Sequence, residues 1–183
     1  MLFANQLVGF GAFGSAKSVV FNASAKSGTD TTTYTFTNTS IGAATADRIV
    51  IVGVGGGAAG LCTSTIVTIG GSTATAAVDA SFSKAGNGYI SKIYTLSVPS
   101  GTTATIVSTF STTTVRSGIC VWSAYGCTTT VAGAGTCTFS ASTSSIGANP
   151  SGGAVGVAYS FSQIEGGGTE GAATWSGMTI NVD

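Results

Sequence analysis

No histidine occurs among the 183 residues, and Asp, Glu, Lys and Arg together make up only 7% of the chain. Proton transfer near neutral pH needs a titratable group, and histidine is the usual one. The many serines and threonines therefore have no imidazole base to make them nucleophiles. The six basic residues, Lys17, Lys26, Arg48, Lys84, Lys92 and Arg116, are scattered and balanced by six acidic ones. Phosphate recognition draws on a basic patch, so a nucleic-acid partner is not expected. Helix formers such as Glu, Lys, Gln, Arg and Met are scarce, which excludes long surface helices. No apolar run reaches the roughly 18 residues of a membrane helix, so no membrane partner is expected. The opening MLFANQL has no basic region ahead of its apolar residues, so no secretory signal is expected and synthesis in the cytoplasm is.

What remains is a chain 43% hydrophobic, with 28 glycines and abundant Thr, Ser and Ala. Its length suits one domain. Residues 1–16 form an apolar first segment carrying Leu2, Phe3, Leu7, Val8, Phe10 and Phe13 between glycines. It reads either as a first strand on its own domain or as an arm that docks on a partner subunit. From residue 17 to 183 the pattern is one β-sandwich domain. Thr33–Asn38 alternates, with Tyr34 and Phe36 on one face and threonines on the other. Arg48–Val54 is continuously apolar, which suits a central strand covered on both sides, or one whose second face is packed by an arm. Further strands are expected over 18–24, 64–69, 73–78, 89–98, 104–110, 118–124, 136–139, 154–161 and 174–182. Gly70-Gly71 and Pro99-Ser100-Gly101 mark turns, and residues 140–153 read as a loop. About ten short strands with regular turn signals predict an all-β, antiparallel sandwich or jelly roll with an apolar N-terminal arm.

Each candidate chemical motif fails on context. Gly55–Gly60 matches a dinucleotide-binding fingerprint, but the residues after it read as strand, so it is expected to be a glycine loop. Cys62, Cys120, Cys127 and Cys137 contain no CxxC pair and have no histidine to complete a zinc site. A hairpin tip at residues 131–135 would set Cys127 against Cys137 for a disulfide; the competing reading is buried free thiols. Ser81–Lys84 and Ser91-Lys92 do not form a Ser–Lys pair, since adjacent strand residues face opposite ways, and both lysines are expected at the surface. Glu165 and Glu170 flank a glycine run that would not hold a carboxylate dyad rigid. Asp30 and Asp47 sit at turn positions, and no carboxylate cluster suits calcium. No catalytic residue, cofactor or metal follows. Trp122, Tyr125, Tyr159 and Trp175 raise sugar stacking; Trp122 is expected in the core, and Trp175 is the best candidate for exposure.

The stretches Leu7–Gly14 (LVGFGAFG), Ala44–Val54 (ATADRIVIVGV), Val67–Gly71 (VTIGG), Val98–Ser111 (VPSGTTATIVSTFS) and Arg116–Gly126 (RSGICVWSAYG) resemble small β-rich structural proteins of tailed bacteriophages. These stretches lie within residues 1–126. The resemblance implies a non-enzymatic virion protein, chiefly a capsid decoration (cement) protein that stabilises contacts between major capsid subunits. A tail, fibre or head-appendage module recognising host glycans is the alternative. It implies the major capsid protein or other virion proteins as partners, many copies per assembly, and location in the virion. Leu2, Phe3, Leu7, Phe10, Phe13 and Trp175 are the expected partner-binding residues.

Overall fold

Threonine and valine at alternating positions suit a pleated surface, and every regular element of the described residues is a strand. The structure, a computed structural model, describes residues 3–12, 16–59, 62, 65–84, 87–138 and 155–162. The strands are β1 (Phe3–Ala12), β2 (Ser18–Ser27), β3 (Thr31–Ser40), β4 (Ile49–Ala59), β5 (Thr65–Ile69), β6 (Ser72–Thr73), β7 (Thr75–Lys84), β8 (Asn87–Ser97), β9 (Thr103–Thr114), β10 (Arg116–Tyr125), β11 (Cys127–Thr138) and β12 (Val155–Ser162). They form a central sheet in the order β2-β10-β4-β8-β7, an outer sheet β3-β9-β5-β6, and a cover sheet β11-β1-β12. All pairings between them are antiparallel.

The central and outer sheets make a sandwich with jelly-roll connectivity. Counting only β2, β3, β4, β5, β6, β8, β9 and β10, one sheet runs first-eighth-third-sixth and the other second-seventh-fourth-fifth. Strand β7 is the addition. The chain leaves the outer sheet at β6 and joins the edge of the central sheet, turning at buried Ala74, whose N–H donates to the Val67 carbonyl at 2.9 Å.

Strand β4 shows why Arg48–Val54 reads as a continuous apolar run. Val50, Val52 and Val54 face the outer sheet, where they meet Tyr34, Phe36, Val67, Ile69, Ile106 and Phe110. Ile49 and Ile51 face the other way, into a second core with Ile93, Trp122, Val157 and Tyr159. Both faces of β4 are therefore covered, and the threonine-alternating strand β3 turns Tyr34 and Phe36 inward as expected.

The glycine-rich continuation of β4 is a correction. Gly55, Gly56 and Gly57 are not a loop; they pair with Ser91, Ile90 and Tyr89 on one side and with Gly118, Ser117 and Arg116 on the other. A Cβ on Gly53 would lie 2.5 Å from the ring of Tyr159, and one on Gly56 would lie 2.6 Å from the ring of Phe110. The strand is stripped of side chains where one large ring presses on each face.

Arg48 is fully buried. Its Nε donates to the Val98 carbonyl at 2.7 Å, Nη1 to Gly42 and Nη2 to Ser100, both at 2.8 Å. The guanidinium thus spends its planar fork on main-chain carbonyls, tying the β3–β4 connection to the β8–β9 connection. Gly70 and Gly71 both have positive φ, at 58° and 84°, the signature of a two-residue type I′ hairpin. Gly101, at φ 74°, serves the second expected turn.

The N-terminal segment is a strand between two others. β1 pairs with β11 on one side and β12 on the other. Its main chain is thus held by the chain's own last described strands.

Candidate interaction surface

The four cysteines separate rather than converge. Cys62, Cys120 and Cys127 are buried free thiols. Cys127 and Cys137 stand near opposite ends of β11, opposite Ala12 and Asn5 of β1, and residues 131–135 are strand paired with β1 across a register shift rather than a hairpin tip. Ala12 and Asn5 are seven positions apart along β1, roughly 23 Å of strand, so the placement favours the free-thiol reading over a Cys127–Cys137 disulfide. Burial raises the Cys120 thiol to about 11 and also raises Cys127. Cys62 is raised by burial, against the opposing pull of a hydrogen bond to Ser111 and the charge of Lys92. Lys92 itself is buried, at 6% exposure, which corrects its expected place at the surface. It shares the inward face of β8 with Ile90 and Tyr94. Among the described residues, no group of three or more His, Cys, Asp or Glu could hold a metal, and no helix is long and apolar enough to cross a membrane.

The aromatics considered for sugar stacking turn mainly inward. Trp122 lies edge-on between Phe21 and Tyr159, at ring separations of 5.9 and 6.5 Å. Tyr159 donates its hydroxyl to the Gly118 carbonyl at 3.1 Å, and burial raises its pKa well above the ordinary value. Tyr125 is half-buried and donates to the Ala43 carbonyl at 3.2 Å. Trp175, Glu165, Glu170, Leu2 and Phe13 lie outside the described residues, as do the expected loop at 140–153 and strand at 174–182. Phe3, Leu7 and Phe10 lie on β1, opposite Ser162, Ala158 and Val155 of β12.

Polar groups in the sandwich hold connections rather than a reaction centre. Tyr34 Oη lies 2.7 Å from the carbonyls of Thr29 and Thr114 and accepts from Thr114 Oγ1 at 2.9 Å. Ser123 Oγ accepts from Asn22 Nδ2 at 2.8 Å and donates to the Ile41 carbonyl. The exposed Asp47 carboxylate accepts from the Gly126 N–H at 2.7 Å. That bond, with a second from Thr45, holds its pKa below the ordinary carboxylate value.

The outward face of the outer sheet has a different character. No residue of β3, β5, β6 or β9 is charged. Because Tyr34, Phe36, Val67, Ile69, Ser108 and Phe110 point inward, the intervening residues point out. They fall in rows across the strands. One row is Thr33, Thr109 and Ile66; the next is Thr35, Val107, Thr68 and Thr73. Neighbours in a row stand about 4.8 Å apart, and rows on one face repeat about every 6.7 Å. Ile66, 57% exposed, is one of two large exposed hydrophobics among the described residues. Such a face offers methyl groups, hydroxyls and no charge. It suits close contact with another uncharged protein surface and offers no acid–base chemistry. The sequence signal for it was the Thr/Val alternation, but which strands lie side by side was not visible there.

No family model, curated protein or solved structure matches this chain.

Proposed function

We propose that the protein is a non-enzymatic structural component of a phage virion, a decoration protein seated on major capsid subunits in many copies. The carrying observation is the uncharged, row-ordered face of the outer sheet with Ile66 exposed within it. A surface without charge loses little hydration when covered for good, whereas burying unpaired charges is costly. The jelly-roll connectivity is compatible with this reading, since viral capsid domains use it, but lectin domains and cupins do too, and fold alone does not assign function. The sequence resemblance to phage structural proteins supplies the choice. The glycan-binding alternative uses the same fold class, but two of its four aromatics are committed to the core.

The test is incorporation. Ile66→Lys puts a charge on the outward face without touching either core, so folding stability should change by no more than about 0.5 kcal/mol. The variant should remain folded and fail to join particles assembled in its presence. Normal incorporation of the variant, or absence of the wild-type chain from purified particles, would sink the proposal.

A further inference from the structure

We infer that β1 is an exchangeable strand and that the cover sheet of one copy accepts the N-terminal strand of a second copy. β1 carries every main-chain ladder of this sheet, with eight register pairs to β11 and eight to β12. Both partners come from residues 127–162, while the chain continues from β1 through only residues 13–17 into β2, which belongs to the central sheet. A strand from another copy would form the same ladders in the same slot. No residue of β1, β11 or β12 is charged, so exchange breaks no ion pair.

The sheet also has a weak row. Gly9 lies opposite Gly133 on β11 and opposite Gly156 on β12, so three strands cross with no side chain between them. The register against β11 shifts immediately afterwards, between Gly9 and Phe10. Glycine-rich strands specify pairing weakly and are prone to swapping. Because closed and exchanged forms share their contacts, concentration decides between them. A short connection corresponds to an effective concentration on the order of millimolar, so dilute protein stays closed and crowded protein exchanges. The inference concerns the isolated chain and stands apart from the virion reading.

The register supplies the probe. Asn5 lies directly opposite Cys137, and paired residues across antiparallel strands have Cα separations that a disulfide can bridge. The full chain carrying Asn5→Cys is incubated from micromolar to millimolar concentration, oxidised, and run on a non-reducing gel. The expected result is an internally bridged monomer when dilute and a covalent dimer fraction that rises at least several-fold with concentration. The dimer should disappear when Cys137→Ser is added. A monomer at every concentration, no bridge at all, or a dimer that survives Cys137→Ser overturns the inference. Loss of capsid incorporation alone would bear on the proposed function and leave the exchange result unchanged.

Discussion

Gly53 and Gly56 show how single residues set the thickness of this molecule. Each leaves room for a ring, Tyr159 on one face of β4 and Phe110 on the other. Ala at either position should cost about 1–3 kcal/mol, the usual cost of overpacking a dense core. Gly28→Ala is the control, because nothing lies within 4 Å of its added methyl and its φ is not in the left-handed region. Its stability should change by less than about 0.5 kcal/mol. Urea unfolding of the three variants checks the contrast; equal effects would show that the rings yield. None of this was legible in the sequence. A glycine run carries no hydrophobic period, so Gly55–Gly57 read as a loop, and the rings that explain the strand lie far along the chain.

At the scale of elements, bulges decide which side chains go where. In β2 the register against β10 shifts at Asn22: Ala23 pairs with Val121 and Phe21 with Trp122. Before the bulge, Val19 and Phe21 pack toward the cover sheet; after it, Ala23 and Ala25 pack toward the outer sheet. Deleting Asn22 removes the extra residue and leaves Phe21 opposite Trp122 and Ala23 opposite Val121 as neighbours in a regular ladder, so Val19, Phe21, Ala23 and Ala25 should all keep their faces. The expected loss is about 1 kcal/mol, that of the hydrogen bond to Ser123. Asn22→Ala removes only the hydrogen bond to Ser123 and should cost about 1 kcal/mol. Chemical-denaturation midpoints compare the two, and a much larger loss in the deletion would mean that the pairing does not survive closing the bulge. The alternating pattern of β3 and the Gly70-Gly71 hairpin were readable because their signals are local. Bulges were not, because a bulge is defined against a partner strand.

For the whole molecule, the missing histidines predict a stability that hardly changes between pH 6 and pH 8. The alkaline side should then fall. A group whose pKa is raised by folding adds stability that is complete below its unfolded pKa and lost as pH climbs to the folded one. Cys120 moves from an ordinary 9.0 to about 11, so stability should begin to decline near pH 9. With each pH unit of that gap worth about 1.4 kcal/mol, the decline should reach about 2–3 kcal/mol by pH 11. Tyr159, raised by its burial, adds to the fall from near its own ordinary value upward. Asp47 works in the opposite sense: its contribution is present above its unfolded pKa and lost as pH drops through the lowered folded value. Melting temperatures from pH 3 to 11, compared with Cys120→Ala, test this. An unchanged alkaline limb in that variant would remove Cys120 from the account.

The sequence by itself determined the all-β class, the inward turn of Tyr34 and Phe36, the two-sided burial of the Ile49–Val54 run and the glycine turns. All of these rest on side-chain period or on φ preferences carried by residues close together in the chain. Tertiary structure alone decided the third sheet, the strand identity of Gly55–Gly57, the distance between Cys127 and Cys137, and the burial of Arg48 and Lys92. It also decided which threonines share an outward row with Ile66. Those features depend on pairings between strands tens to more than a hundred residues apart, and a strand's own pattern says which face is apolar but not which partner will cover it.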